Sequence, residues 1–341
     1  MRALLSLLPA LTPPPSYADQ RYDSVEALTT NITMGDLWLK GMADGADAAG
    51  LSVQYCMPYA SHVMSAAAYP AVTNARATGD YFHGFNQWAV GSTSLFYWAI
   101  GILPFKDGFY SSSNKQVGGQ TVGPEKSPDR EALMATLSCA MVGAMDGIYL
   151  LNKTRLMTTC MADGAVLRPD VPVHTSDSCF IDGAGAKCYV YHTWTDLEAN
   201  GVASRVHYHY NDAVAPLTPA MVHLTAADVG KYVVRNWYNG DLTLLAASNA
   251  LAAGYEGHVY AVASPILAGG WTFLGEIDKF VVAASKRFGK VTSSSSAGLA
   301  VEVKGLEGES VKVCAAKASD LKAVCNAVTF AAAGTKTTTF K

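Results

Sequence analysis

Asp80, Asp107 and Asp146 each follow a short apolar, β-prone run, in the segments RATGDY (76–81), PFKDGFYS (104–111) and CAMVGAMDG (139–147). Carboxylates just past the ends of successive parallel strands converge on one rim of a β/α sheet. Two that converge beside aromatic rings can do acid/base work on a sugar. Arg76 and Asp80, at one strand end, form either part of such a site or a plain structural ion pair. Gly79 can supply the unusual backbone angle that would turn Asp80 into a pocket. Asp107 with Phe109 and Tyr110 would bind hydroxyls while the rings stack on a sugar face, and an Asp-Gly turn is the competing reading. Tyr81 and Trp88 add further rings near the same strand ends. Asp146-Gly147 and Asp163-Gly164 are common turn pairs, so the signal lies in three acids at three consecutive strand ends.

The elements that must position these residues alternate. Leu37, Leu39, Met42 and Ala46 recur at helical spacing over 34–49, after a Thr33 suited to capping. A strand follows over 51–57, then a helix near 61–69, a strand over 71–77 and a long helix over 86–100 carrying Trp88, Leu95, Phe96 and Trp98. A strand near 102–106, a Gly, Ser and Gln-rich loop, a helix opened by Pro128 and running through Leu137, a strand over 140–145 and a helix over 152–161 complete four repeats. From about residue 187 the pattern changes to short alternating strands at roughly ten-residue spacing, KFVVAAS (279–285) among them, as expected of an antiparallel β-sandwich. The expected fold is therefore α/β plus all-β: an N-terminal segment over 1–30, a partial (β/α) barrel over 31–180 and a sandwich over 181–341.

Composition narrows the partners. Half of the 341 residues are apolar, 16% are charged and the net charge is −3, which gives no electrostatic reason to expect nucleic acid. No run of 18 apolar residues exists, so no membrane span is expected. Met1-Arg2, ALLSLLPAL and a small-x-small site ending at Ala18 fit a secretory signal or, equally, the first short element of the fold. Cys179/Cys188 and Cys314/Cys325 are each spaced as a disulfide-closed hairpin would be, which would suit an oxidising compartment, while Cys56 and Cys139 lie in apolar runs. Asn31-Ile32-Thr33 and Asn152-Lys153-Thr154 match the glycosylation acceptor pattern. With no CxxC pair and no HExxH, neither a metal nor a cofactor is expected. His207 and His209 alternate along one strand, and a solvated sheet face is the expected setting.

Cys56-Met57, RATGDY, PFKDGFYS, CAMVGAMDG and MADGAVLRPD (161–170) occur in the order and at the spacing of five blocks of another family. On these blocks the chain resembles glycoside hydrolase family 36, in its raffinose synthase and seed-imbibition branch of α-galactosidase-like proteins. The resemblance covers about residues 35 to 175. It implies Asp80 as general acid/base, Arg76 as the group that holds its orientation and charge, Asp107 as a substrate-contacting acid and Asp146 as the acid after the eighth barrel strand. The family mechanism is retaining and needs a second carboxylate as nucleophile, which belongs on a fourth strand with a lysine-x-aspartate pattern. That pattern is absent from residues 1–35, where Asp19 and Asp23 are the nearby candidates.

A complete eightfold barrel needs about 250 residues, so a half barrel would expose parallel edges and apolar helix faces. Either the chain is a fragment, or another copy or chain supplies the cover, or the sandwich and N-terminal segment roof an open sheet. Two functions follow: a glycosidase or transglycosidase acting on α-linked galactosides or related sugars, or a non-catalytic structural or sugar-binding subunit of a larger assembly.

Overall fold

The computed structural model describes residues 22–81, 88–114, 124–181, 188–213 and 215–341. The chain is mixed α/β in its first half and sheet-rich in its second. Helices α1 (Glu26–Thr30) and α2 (Ile32–Ala48) lead into β1 (Val53–Tyr55), α3 (Ala60–Ala66), β2 (Val72–Arg76), α4 (Gly91–Ala99), β3 (Leu103–Phe105), α5 (Pro128–Leu137) and α6 (Lys153–Met157). Asn31, not Thr33, caps α2: its side-chain oxygen accepts from the backbone N–H of Thr33 and Met34, donors that would otherwise be orphaned. Leu39, Ala43 and Ala46 of α2 are buried against Val53, Tyr55, Val72 and Ala75, whereas Leu37 is exposed.

β1, β2 and β3 form a parallel sheet in the order β1-β2-β3. The barrel expected over 31–180 is thus a three-stranded sheet with β/α connections, extended by one parallel bridge between Phe109 and Ala144. The strand expected over 140–145 is reduced to that bridge, which Phe109 holds by donating to Gly143 and accepting from Met145. Glycines permit the approach: a Cβ at Gly108 would run into the Met145 side chain. Within the described residues the helix expected over 86–100 is confined to Gly91–Ala99, with Trp88 outside it.

The second half begins with β4 (His174–Thr175) and α7 (Asp177–Ile181), followed by β5 (Val190–Ala199), β6 (Val202–Asn211), β7 (Tyr232–Asn236), β8 (Leu242–Leu244), β9 (Val259–Pro265), β10 (Trp271–Gly275), β11 (Phe288–Ser294), β12 (Gly298–Gly305), β13 (Ser310–Lys317), β14 (Lys322–Thr329) and β15 (Gly334–Phe340). A large sheet runs β15-β12-β11-β5-β6-β9-β7-β8 with β4 on β5, and a small one runs β10-β13-β14. The pairings are antiparallel except β11 on β5. Alternate residues Val291, Leu299, Val301 and Val303 of the large sheet share a core with Phe273, Val311 and Val313 of the small one.

Two strand readings are corrected. KFVVAAS is not a strand: Phe280 to Ala284 are almost fully buried but irregular. Its backbone is satisfied piecemeal, Phe280 N–H by the Thr158 carbonyl, Ala283 N–H by the Tyr208 hydroxyl and the Phe280 carbonyl by the Tyr260 hydroxyl, so no ladder is needed. His207 and His209 are buried, because β6 lies between β5 and β9 with both faces covered. Both expected disulfides, Cys179–Cys188 and Cys314–Cys325, are present.

One core joins the two halves. Trp88 packs on Tyr189, Tyr191 and Tyr210, and α5 buries Ala132, Leu133 and Met134 in the same cluster as Val206, Tyr208 and Val262. The β domain thus packs on α5 and on the residues beyond the strand ends, while β1 and β2 bury their apolar side chains in a separate cluster with α2, α3 and α4. Among the described residues no helix is long and apolar enough to cross a membrane.

Candidate functional site

Parallel pairing puts the C-terminal ends of β2 and β3 side by side, with Arg76 level with Phe105 and Ala77 N–H bonded to the Phe105 carbonyl. The residues that follow each strand therefore emerge together. Arg76 is buried, its backbone carbonyl fixed by the Tyr97 hydroxyl at 3.0 Å. Its Nη1 lies 2.7 Å from Asp80 Oδ1 and 3.3 Å from Asp107 Oδ2. Those two oxygens are consequently no more than 6.0 Å apart, the sum of the 2.7 and 3.3 Å contacts. Retaining glycosidases hold their carboxyl groups about 5–5.5 Å apart and inverting ones about 6.5–9.5 Å.

The two acids are held differently. Asp107 accepts from Tyr81 N–H at 3.1 Å and Gly108 N–H at 2.9 Å besides Arg76, and its own N–H donates to Thr78 Oγ1 at 3.1 Å. Asp80 has one described contact, Arg76, and its side chain is 23% exposed. It is thus the less constrained of the two.

Beneath them lies a charged floor. Lys106 Nζ, fully buried, pairs with Glu131 of α5, donates to the Asp107 carbonyl at 3.0 Å and lies 5.0 Å from the ring centroids of Tyr81 and Phe109. Burial of Glu131 outweighs the attraction of Lys106, so its carboxyl sits above the ordinary carboxylate range. The Tyr81 hydroxyl donates to Glu125 and accepts from Tyr110 N–H, and burial, reinforced by Glu125, pushes its phenol well up. Tyr81 and Tyr110 meet edge-on at 5.6 Å and are both buried, so their rings support the site from below and do not form an open stacking face.

The remaining expected residues fall around this pair. Asp146 emerges after the Ala144 bridge on the same side, but its carboxylate accepts from the backbone N–H of Ser111 and Ser112 at 2.7 and 3.1 Å and from the Ser112 hydroxyl at 3.2 Å, which pins the two loops together. Asp23 is exposed and bonded to the hydroxyl of Tyr59, just past the C-terminal end of β1, so it hangs over the same rim two strands from β3. Asp19 lies outside the described residues. Trp88 is buried between the two halves beneath the Arg130 guanidinium, 4.7 Å away, far from a stacking role. Gly79 does not take a left-handed φ and a Cβ there would meet no atom within 4 Å, so Asp80 owes its direction to Arg76 and not to glycine freedom.

Sequence reasoning missed Lys106, Glu125 and Glu131. The only signal was a lysine immediately before Asp107 in an otherwise apolar strand end; its partner on α5 lies 25 residues on in sequence. It also missed that Asn31 and Asn152, read as glycosylation acceptors, serve as helix N-caps.

No family model matches the chain, and no curated protein matches it. Among solved structures, the chain is similar to the isomalto-dextranase of Arthrobacter globiformis T6 in complex with panose, at 13% identity and a TM-score of 0.41 over 89% of this chain and 60% of that one. The chain thus spans 60% of the length of that enzyme.

Proposed function

We propose that the chain is a carbohydrate-active protein, a retaining glycoside hydrolase or transglycosidase of α-linked sugars, with Asp80 and Asp107 as its working carboxylates. The single observation that carries this reading is the placement of Asp80 and Asp107 on one guanidinium at adjacent parallel strand ends, with their near oxygens within 6.0 Å, the sum of 2.7 and 3.3 Å. The order of the five sequence blocks favours α-galactosides as the first substrates to try.

In this reading the Asp80 carboxyl gives its proton to the glycosidic oxygen as the bond from that oxygen to the anomeric carbon breaks. The Asp107 carboxylate, fixed by Tyr81 N–H, Gly108 N–H and Arg76, supplies the electron pair that forms a glycosyl ester at that carbon. Water or an acceptor hydroxyl then attacks the same carbon, loses its proton to Asp80 and displaces Asp107. Asp107 thereby takes the nucleophile's part that family 36 gives to its fourth strand; Asp23 and Asp19 are not used. Arg76 orients both acids, and Lys106 with Glu131 sets the level of the strand end. A second reading, a non-catalytic structural subunit, is favoured by one observation: Tyr81 and Trp88, the expected stacking rings, are buried and offer a sugar no open face.

The test is hydrolysis of aryl α-galactosides and α-glucosides by the purified chain, wild type against Asp80→Asn. General acid/base help is worth roughly 10²–10⁴-fold, so a loss of about that size at an unchanged melting temperature is expected. Wild-type turnover retained in Asp80→Asn refutes the assignment. A folded wild-type chain that shows neither turnover nor sugar binding establishes the structural reading in its place.

A further inference from the structure

Away from the rim, three histidines from three elements face one another. His174 of β4 and His192 of β5 are register partners on paired strands, and His223 follows the short 3-10 helix Pro219–Val222 that packs on β5 and β6. Each offers a ring nitrogen within 4.8 Å of the other two. Trp98, in the last turn of α4 and so toward the N-terminal end of β3, the opposite end of that strand from Asp107, stacks on His174 at 5.2 Å. The cluster is therefore distinct from the carboxylate site.

We propose that His174, His192 and His223 form a binding site for a single divalent transition-metal ion, zinc for preference, with a fourth position left to water. Four features of the site point to a cation. First, the outer ring nitrogens are already engaged as metal-ligating histidines require: His174 Nδ1 donates to the Pro172 carbonyl at 2.9 Å and His192 Nε2 lies 3.0 Å from His207 Nδ1. That leaves His174 Nε2 and His192 Nδ1 as the free lone pairs, and His192 Nδ1, fully buried, has no partner among the described residues. Second, an Asp177 carboxylate oxygen lies 3.6 Å from His223 Nε2, which supplies a negative charge beside the third ligand. Third, His223 takes a left-handed backbone conformation, φ 56° and ψ 29°, uncommon for a non-glycine residue and a local cost that brings its ring over His192 at 4.5 Å. Fourth, Trp194 lies 5.4 to 5.9 Å from all three rings and covers one side of the cluster, which leaves the exposed side at His223 for a water ligand.

The geometry needs closing by a small amount. Zinc–nitrogen bonds of about 2.0–2.1 Å in a tetrahedral site bring ligand nitrogens to roughly 3.3 Å of one another, against the 4.8 Å limit within which they now lie. His223, the one exposed member and at the end of a turn, is the ligand with room to move toward the two buried ones. Three neutral imidazoles select zinc, cobalt, nickel or copper over magnesium and calcium, which prefer oxygen. A spacing of 18 and then 31 residues between the ligands has no sequence signature, which is why the missing CxxC and HExxH motifs led to no metal being expected.

The experiment uses the full chain without a histidine tag, stripped with a chelator and titrated with zinc and with cobalt. One equivalent of zinc per chain is expected by elemental analysis after gel filtration, with a rise of several degrees in melting temperature and quenching of tryptophan fluorescence by cobalt from Trp98 and Trp194. His223→Ala, on an exposed turn, is expected to weaken zinc binding at least about 100-fold while leaving the metal-free melting temperature within a few degrees. Should that variant fold poorly, the visible absorption of cobalt bound to the unaltered chain decides: a four-coordinate nitrogen-rich spectrum supports the site and a spectrum of hydrated six-coordinate ion refutes it. Less than about 0.2 equivalents of zinc retained by wild type, or equal retention by His223→Ala, overturns the proposal. Loss of zinc with hydrolysis intact leaves the carboxylate site standing by itself.

Discussion

Replacing Lys106 by methionine keeps the length of the side chain and removes its charge from a site with no access to water. Glu131, 3% exposed, is then left buried with no cation in direct contact. Removing one partner of a buried pair costs about 3–5 kcal/mol, whereas replacing both by apolar groups of similar volume is often close to neutral. Lys106→Met is therefore expected to lose about 3–5 kcal/mol and Lys106→Met/Glu131→Leu to recover at least half of it, a coupling of about 2 kcal/mol. The lost contacts of Nζ with the Asp107 carbonyl and with the faces of Tyr81 and Phe109 account for the part that does not return. The pH dependence carries its own sign. Burial already raises Glu131 in the folded state, and without Lys106 it rises further. A group raised on folding contributes stability below its unfolded value, near 4.3, and loses it as pH climbs through the folded value. The deficit of Lys106→Met should thus be largest at pH 7 and shrink as the pH approaches 4–5. Urea unfolding of wild type, both single variants and the double variant at pH 7 and pH 5 measures this. Strictly additive losses, or a Lys106→Met deficit that stays below 1 kcal/mol at both pH values, refute the view that a buried ion pair levels the site.

Burial lowers His209 to about 4, so the unfolded chain takes up a proton below about 6.5 while the folded chain does not; stability is full above 6.5 and falls by about 2 kcal/mol from this residue between pH 7 and pH 5, a slope that His209→Phe should reduce. Gly79→Ala should leave stability and activity nearly unchanged because a Cβ meets nothing within 4 Å, whereas Gly275→Ala, at φ 74° against the Val282 carbonyl, should lower the melting temperature by several degrees; equal behaviour of the two would contradict the backbone assignments. Reduction of Cys314–Cys325, which closes a loop of 11 residues between paired strands β13 and β14, should cost about 2–3 kcal/mol in urea unfolding.

The sequence carried the local elements well. Helices at 32–48, 60–66 and 128–137 and strands at 53–55, 72–76 and 103–105 match the periodicity, because apolar spacing, Pro128 and strand-end polar residues are local signals. The two disulfides were legible from spacing alone. Tertiary covering was not. Phe280 to Ala284 read as a strand because burial without a ladder has the same composition as a buried strand, and His207 reads as solvated until β5, β9 and the 3-10 turn close over it. At the site, the sequence placed Asp80 and Asp107 at neighbouring strand ends but could not show that one guanidinium joins them, since Arg76 and Asp107 lie 31 positions apart. Nor could it show that Asp146 is consumed by Ser111 and Ser112. Trp88 read as a sugar-facing ring since an aromatic near a strand end looks the same whether it faces a ligand or a second sheet.

The most direct measurement of the central claim is the anomeric configuration of the first sugar released from an aryl α-glycoside, followed by proton NMR before mutarotation. Asp80 and Asp107 oxygens no more than 6.0 Å apart, from contacts of 2.7 and 3.3 Å to the same Arg76 nitrogen, predict an α-configured first product that Asp107→Asn abolishes. A β-configured first product, or undiminished turnover in Asp107→Asn, would contradict it.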